Sequence, residues 1–543
     1  MDSRVNRNRG TEAKGSVRTP RIVVIGAGMA GLVAALELAD AGMAVTVVEK
    51  AVSPGGKLRQ AVIDNALIDA GPTVFTMRWV FDELFDAIGE DLAASLTLQP
   101  ASVIARHAWS AGERLDLFAD IDRSSDAIGR FAGAAEAQGY RAFCARAQRI
   151  YQTLEAPFLR AAKPNPISLV TSGGLRGLGA LGNLAPFTSM WKALGEYFHD
   201  KRLQQLFGRY ATYCGSSPFD APATLMLVAH VEQSGVWLIE GGMHRLATTL
   251  AKLAQARGAK FRYGEGVQEV VVTNGRASGV RLTDGAVIEA DIVVSNADVA
   301  ALAAGRLGSA ASFAAPETKP RDRSLSAVTF AMVARTEGFP LSRHNVFFSR
   351  DYKAEFDDVF VHGTLPRAPT VYVCAQDRDA ADGARPGAAE RLFMIVNAPP
   401  KGDARPLDPA EIAACVERTF GQLARCGLTV ERTGERMVTT TPDAFERLFP
   451  ATGGALYGAA SHGSMATFRR PTAQSRLPGL YLASGSAHPG PGVPMAALSG
   501  RLAAAAVKAG LVKAGLAKAG VATRSTSAGM SRAAATPGGT SMR

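Results

Sequence analysis

Residues 22–49 constrain the fold of this chain more than any other stretch. The run Ile22-Val23-Val24-Ile25 is short, apolar and β-branched, which is the pattern of a buried strand. It opens onto Gly26-Ala-Gly28-Met-Ala-Gly31, and apolar periodicity then predicts a helix from about Ala30 to Ala41, stopped at Gly42. A second strand, Ala44 to Val48, closes a βαβ unit of about thirty residues. Gly26 permits the tight turn, Gly28 lets backbone approach a pyrophosphate, and Gly31 allows close helix–strand packing. The helix N-terminus adds unpaired N–H groups and the positive end of a dipole. Glu49 follows Gly31 by 18 residues and ends the second strand, where a carboxylate can accept from a ribose 2′-OH. An ADP-ribose cofactor is predicted.

Context, and not the glycine pattern, carries that prediction. With 56 glycines in 543 residues, roughly half a chance match to G-x-G-x-x-G is expected. Gly177-Leu-Gly179-Ala-Leu-Gly182 is such a match. It follows a Pro/Ser/Gly-rich stretch without a strand, so it reads as packing or loop.

The net charge of +11 suggests nucleic acid until it is located. Residues 1–20 carry +3 and residues 501–543 carry +7, which leaves +1 for everything between. The body is balanced, and no polyanion groove is expected. Five cysteines lack CxxC or metal-ligand spacing, and the eight histidines form no metal-ligand pair. No metal site and no disulfide framework are expected. The polar, arginine-rich N-terminus is not a secretory signal, and no run of 18 apolar residues predicts a spanning helix. Residues 166–191 are the most apolar stretch, with one charge at Arg176, and read either as buried or as a surface dipping into one leaflet.

Further strands and helices follow in mixed order. Leu246 to Arg257 is helical; Lys260 to Tyr263, Val267 to Val272 and Asp291 to Ser295 are strands; residues 321–400 alternate as strands; and 406–426 is one helix ended by Gly427. Residues 507–521 repeat a pentad whose lysines spread around a helix axis, and read as a fraying helix leading into a disordered tail. Two more glycine turns flank the chemistry. Ser53-Pro54-Gly55-Gly56-Lys57-Leu58 and Asp69-Ala-Gly71-Pro72-Thr73 suit a cofactor longer than one mononucleotide. Leu480-Tyr-Leu-Ala-Ser-Gly485-Ser486-Ala-His488-Pro-Gly490-Pro-Gly492-Val-Pro494-Met495 is again strand, turn and helix.

On these motifs the chain, over about residues 20–505, resembles the carotenoid desaturases of the bacterial phytoene-desaturase type, within the flavin amine-oxidase-like superfamily. The stretch 69–81 looks most like the 1-hydroxycarotenoid 3,4-desaturases, also called methoxyneurosporene dehydrogenases. The resemblance implies an α/β fold: a Rossmann-like FAD-binding domain, a discontinuous α+β substrate domain and a helical membrane-facing part. The expected division is a flexible arm (1–19), FAD-binding segments (20–95, 236–310, 470–506), a substrate and helical membrane-facing part (96–235), a substrate-domain sheet (311–469) and a low-complexity, disordered tail (507–543).

The resemblance also implies non-covalent FAD, because the last cysteine, Cys426, precedes the C-terminal motif that tethers flavin in covalent members. Gly26, Gly28, Gly31 and Glu49 would hold its ADP half, Gly56 and Lys57 its pyrophosphate, and Val267 its adenine. Gly71, Pro72 and Thr73 are expected near the isoalloxazine, Gly485 and Ser486 at the ribityl turn, and Pro494 and Met495 facing the ring. Removing two hydrogens from a polyene needs a two-electron acceptor: hydride goes to flavin N5, and a base takes the adjacent proton. Arg78 and His488 are the catalytic candidates, each also readable as a structural residue, and Gly453, Gly454 and His462 are candidates for the tunnel wall. The implied substrate is a lipophilic 1-hydroxy- or 1-methoxy-carotenoid desaturated at C-3,4 in spheroidene- or spirilloxanthin-type biosynthesis. Its solubility implies a peripheral enzyme on the cytoplasmic side of the inner membrane of a photosynthetic bacterium, with oxygen or a quinone as final acceptor. The alternatives are a phytoene desaturase, an amine oxidase and a non-catalytic flavin-fold scaffold.

Overall fold

In the βαβ unit each face of the first strand serves a different core. The computed structural model describes residues 18–164, 187–378, 387–432 and 437–514. β1 (Arg21–Ile25), α1 (Met29–Asp40) and β2 (Ala44–Glu49) form the unit as expected. Along β1, Ile22 and Val24 pack beneath α1, whereas Val23 and Ile25 point to a second cluster on the opposite face. That alternation is the two-residue period of a strand buried on both sides. α2 (His244–Ala256), β3 (Lys260–Tyr263), β4 (Ile292–Ser295), β5 (Leu480–Leu482) and α3 (Val493–Lys513) complete the layer.

The sheet runs β5-β4-β1-β2-β3 with every pairing parallel, and Ile22 stands between Val45 and Ile292. α1, α2 and α3 share the core on one face. A three-stranded antiparallel sheet (Val267–Thr273, Arg276–Leu282, Val287–Glu289) covers the other, through Val270, Val280 and Leu282. One sheet thus gathers three distant stretches of chain, and its carboxyl edge collects the loops after β1, β2, β4 and β5.

α3 corrects the expected start of the frayed tail. The helix begins at Val493, with Pro494 in its first turn, and continues to Lys513. Val507 and Leu511, four apart, are both buried, so residues 507–511, where the repeat starts, present an apolar face to the core. Lys508 is buried as well: its Nζ lies 3.2 Å from Glu37 Oε2 on α1, and Arg501 Nε lies 2.9 Å from Glu37 Oε1. Gly500 makes the close crossing possible, because a Cβ there would meet the Ala30 carbonyl of α1. α3 has the length and mean hydropathy (1.4) to cross a membrane, but half of its apolar window is buried in the fold.

The second layer is a seven-stranded sheet. In spatial order its strands are Met437–Thr440, Ser326–Ala334, Glu390–Ala398, Val371–Ala375, His344–Phe347, Ala105–Ser110 and Glu113–Leu117. The last two come from 96–235, the stretch expected to hold a substrate and helical membrane-facing part, which divides between this sheet and a helical wall. The wall includes Ala134–Leu154, Lys201–Gly208 and Leu227–Gln233, with a 3-10 turn at Arg209–Cys214. Period two sorts the sheet's side chains again. Val328, Val373, Met394 and Val396 pack under the capped helix Pro409–Arg425, while Thr329, Tyr372, Phe393, Ile395 and Asn397 face the interior.

Candidate active site

Between the carboxyl edge of the parallel sheet, the inner face of the seven-stranded sheet and the helical wall lies one cavity of about 1340 Å³. Ligands of open α/β sheets bind at such an edge. The volume exceeds the roughly 300–1,000 Å³ of a pocket for one small ligand, so there is room for a dinucleotide and a second molecule.

The dinucleotide end is built from backbone. Gly26, Gly28, Gly56 and Lys57 line the cavity where α1 begins. Gly31 does not line it; a Cβ there would be driven into the Gly26 carbonyl, so its role is packing. Glu49 is buried at the end of β2, with Oε2 accepting from Ala27 N–H at 2.7 Å and Oε1 from Ala51 N–H at 2.9 Å. Both bonds aim the carboxylate along the cavity wall, with lone pairs left for a further donor. Val267, Gly71, Pro72, Thr73, Gly485, Pro494 and Met495 also line the cavity. Ser486 lies behind the wall, where its hydroxyl accepts from Val299 N–H at 2.9 Å.

Two cations stand at this end, Arg470 buried and Lys57 half-buried. Lys57 Nζ donates to the Leu456 carbonyl at 2.6 Å, and Arg470 donates to the carbonyls of Tyr457 (3.2 Å) and Ala459 (2.7 Å). Burial pulls both below their ordinary pKa; for Lys57 nearby Asp298 opposes the shift and Arg470 adds to it. Cations held on carbonyls at a helix N-terminus suit an anionic ligand such as a pyrophosphate. The residues present therefore fit the ADP half of a flavin dinucleotide.

Several sequence candidates lie elsewhere. Arg78 precedes the helix Trp79–Ala87 and pairs with Asp82 at 3.2 Å on the partly exposed outer side, away from the cavity lining. His488 is buried behind the wall, Nε2 3.0 Å from the Ala161 carbonyl and its ring edge-on to Phe158, and burial lowers its pKa to about 4. It is neutral, and it braces the loop whose next residue, Pro489, does line the cavity. Gly453, Gly454 and His462 are also off the lining: the Gly453 N–H donates to Glu446, a Cβ on Gly454 would meet the Pro442 carbonyl, and His462 Nε2 accepts from Ser217 N–H. The glycine decoy at 177–182 and residues 166–186 of the apolar stretch lie outside the described residues.

Other functional side chains escaped the sequence reading. Asn296 and Asp298 line the cavity just past β4, and the strand–turn signal at Ser295 could have found them. Arg209, Tyr213 and Glu232 on the helical wall carried no local signal. Away from the dinucleotide end the lining is largely apolar, with Phe158, Leu225, Val228, Phe393 and Phe468 among its residues. Among the described residues no group of three His, Cys, Asp or Glu is placed to hold a metal.

Comparison with known proteins agrees with this geometry. Residues 29–508 match the family of flavin containing amine oxidoreductases. A hydroxyneurosporene desaturase of Rubrivivax gelatinosus is 56% identical over 90% of this chain and 93% of its own length. A 1-hydroxycarotenoid 3,4-desaturase of Flavobacterium sp. (strain P99-3) is 30% identical over 89% of this chain and 97% of its own. Among solved structures, an oxidoreductase from Methanosarcina mazei shares the fold, with TM-score 0.56 and 16% identity over 89% of this chain and 99% of that one. With a dinucleotide turn and an apolar chamber in one cavity, the chain is a flavin-dependent oxidoreductase that belongs to the flavin containing amine oxidoreductases and, within them, to the bacterial carotenoid desaturases.

Proposed function

We propose that this protein binds FAD non-covalently and desaturates an acyclic 1-hydroxy- or 1-methoxy-carotenoid at C-3,4. The observation that carries the reading is the continuity of one cavity, from the helix N-terminus with its cations to a chamber lined by apolar side chains. Gly28, Gly56, Lys57 and Arg470 would hold the pyrophosphate, Glu49 the ribose, Val267 the adenine, and Thr73, Pro494 and Met495 the flavin ring. Bound FAD supplies the two-electron acceptor for a hydride. The chain's own part is position and dryness, since its apolar walls exclude water from the reacting carbons. Cys214 is the cavity-lining cysteine among the described residues, and burial raises its pKa, which disfavours the thiolate a covalent link needs. Denaturation should therefore release the flavin into solution.

The polyene enters from a membrane in this reading. Phe187 is 90% exposed and Met465 42% exposed, yet both line the cavity, so its mouth carries apolar side chains. Such a rim favours a peripheral protein drawing its substrate from the lipid, on the cytoplasmic side of the inner membrane. The expected domain division stands as part of the proposal, with the corrections at residues 105–117 and 507–513. Reduced flavin would pass its electrons to oxygen or a quinone.

Coexpression in cells making either phytoene or 1-hydroxyneurosporene tests the reading. Loss of two mass units from the hydroxylated pigment alone, with a red shift, is expected. Conversion of phytoene instead would move the protein to an earlier pathway step.

A further inference from the structure

The helical wall places a guanidinium and a carboxylate, bridged by a tyrosine, in the chamber, away from the loops of the parallel sheet. Arg209 and Glu232 both line the cavity, and Tyr213 joins them: Arg209 donates to Tyr213 Oη at 3.3 Å, and Tyr213 Oη donates to Glu232 Oε1 at 2.5 Å. Tyr210 donates to the other carboxylate oxygen at 2.7 Å, so each oxygen at the acidic end of the relay has a donor. The basic end is open. Among the described residues Arg209 makes no hydrogen bond except that to Tyr213, so most of its five N–H donors point into the chamber. The rings of Tyr213 and Tyr372 lie 5.3 and 5.4 Å from its guanidinium carbon, one element on each side. A guanidinium facing an apolar chamber is costly unless an acceptor meets it.

The position of this cation bears on what that acceptor is. Gly71 packs directly on the Lys57 carbonyl, so residues 71–73 continue the dinucleotide wall inward from the phosphate turn. Thr73 Oγ1 is then 2.6 Å from Tyr372 Oη, which also lies 2.8 Å from His344 Nδ1. With the dinucleotide held as proposed above, Arg209, packed on Tyr372 beside Thr73, would stand where its far end meets the second ligand. In a polyene hydroxylated at C-1 the oxygen is three single bonds of about 1.5 Å from C-3, hence within about 4 Å of the reacting carbon. A group that recognises that oxygen has to stand beside the reacting end of the cofactor, not at the distal end of the tunnel. Arg209 would stand there.

We propose that Arg209, oriented by the Tyr213–Glu232 relay, is the specificity-determining residue that donates hydrogen bonds to the C-1 oxygen of the carotenoid. The proposal deepens the function proposed above and rests on it. A site built around such a donor favours the oxygenated polyene, because a hydrocarbon end leaves the guanidinium without its acceptor. Glu232 supplies the compensating charge, and its own pKa is raised by burial against the opposing bonds from Tyr213 and Tyr210.

The test uses the full-length flavoprotein in vesicles, with 1-hydroxyneurosporene and neurosporene as paired substrates and product read by mass. Arg209→Met should lower the ratio of their kcat/KM values by about 10- to 100-fold, mostly through KM, with Arg209→Lys recovering part of it and flavin content unchanged. Tyr213→Phe, nearly isosteric, should lower the ratio in the same direction by a smaller factor, and it decides the matter if Arg209→Met does not fold. Equal loss on both substrates, no change in the ratio, or loss of bound flavin from the variants would each overturn the proposal; the last would assign Arg209 to the cofactor. If the unaltered protein shows no preference for the hydroxylated substrate, the functional reading itself fails, and that outcome is visible before any variant is made.

Discussion

The two ends of the cavity are built by opposite means. At the end proposed for the dinucleotide, the site is largely backbone: glycines that admit close approach, a helix N-terminus, and carbonyls that hold Lys57 and Arg470. At the end proposed for the polyene, residues from the seven-stranded sheet and the helical wall meet across a chamber lined largely by apolar residues. The first design is compact in sequence because one turn supplies it. The second is dispersed, because a hydrocarbon has to be surrounded. Substitutions should therefore be harsh at the first end and graded at the second.

The largest effect is expected at Gly31. A Cβ would strike the Gly26 carbonyl, so Gly31→Val should destabilise by about 3 kcal/mol or more and abolish flavin retention, read by thermal melting and released flavin. Lys57→Met comes next. It removes a half-buried, charge-assisted donor, and should weaken flavin affinity by about 10- to 100-fold in titrations of the apoprotein while the fold persists.

His488 separates structure from chemistry. Its folded pKa of about 4 lies below the ordinary 6.5, so between those values the unfolded chain binds the extra proton and stability falls as pH falls. From this residue alone, about 2 kcal/mol should be lost on going from pH 7.5 to pH 5, and His488→Gln should remove that share of the acid sensitivity. Were His488 the base of the reaction, the same variant would abolish turnover at pH 7.5. The smallest effect belongs to Arg78. Its pair with Asp82 is partly exposed, and Arg78→Ala should change stability by no more than about 0.5 kcal/mol and leave turnover intact.

What was legible in the sequence follows the same division. The βαβ unit and the strand–turn–helix around Gly485 were readable because each packs its chemistry into consecutive residues. The seven-stranded sheet was only partly readable: Ala105–Ser110 pairs with His344–Phe347, more than two hundred residues away, and Glu113–Leu117 joins the sheet as its edge strand only through the hairpin with Ala105–Ser110. Arg209 and Glu232 were invisible for the same reason, since 22 residues of intervening chain hide that Tyr213 bridges them. Arg78 and His488 were named for their proximity to motifs, yet a side chain one turn from a cavity wall can face the other way. Only the start of the tail, residues 507–513, reads differently in the structure, because its lysines were counted around an isolated helix axis without the buried Glu37 that receives Lys508.

The most direct test of the central claim is a single turnover without acceptor. Purified flavoprotein in vesicles, held anaerobically with excess 1-hydroxyneurosporene, should form one equivalent of product two mass units lighter per bound flavin, and then resume when oxygen or a quinone is admitted. Absence of that first equivalent, or its formation from phytoene and not from the hydroxylated pigment, would contradict the account.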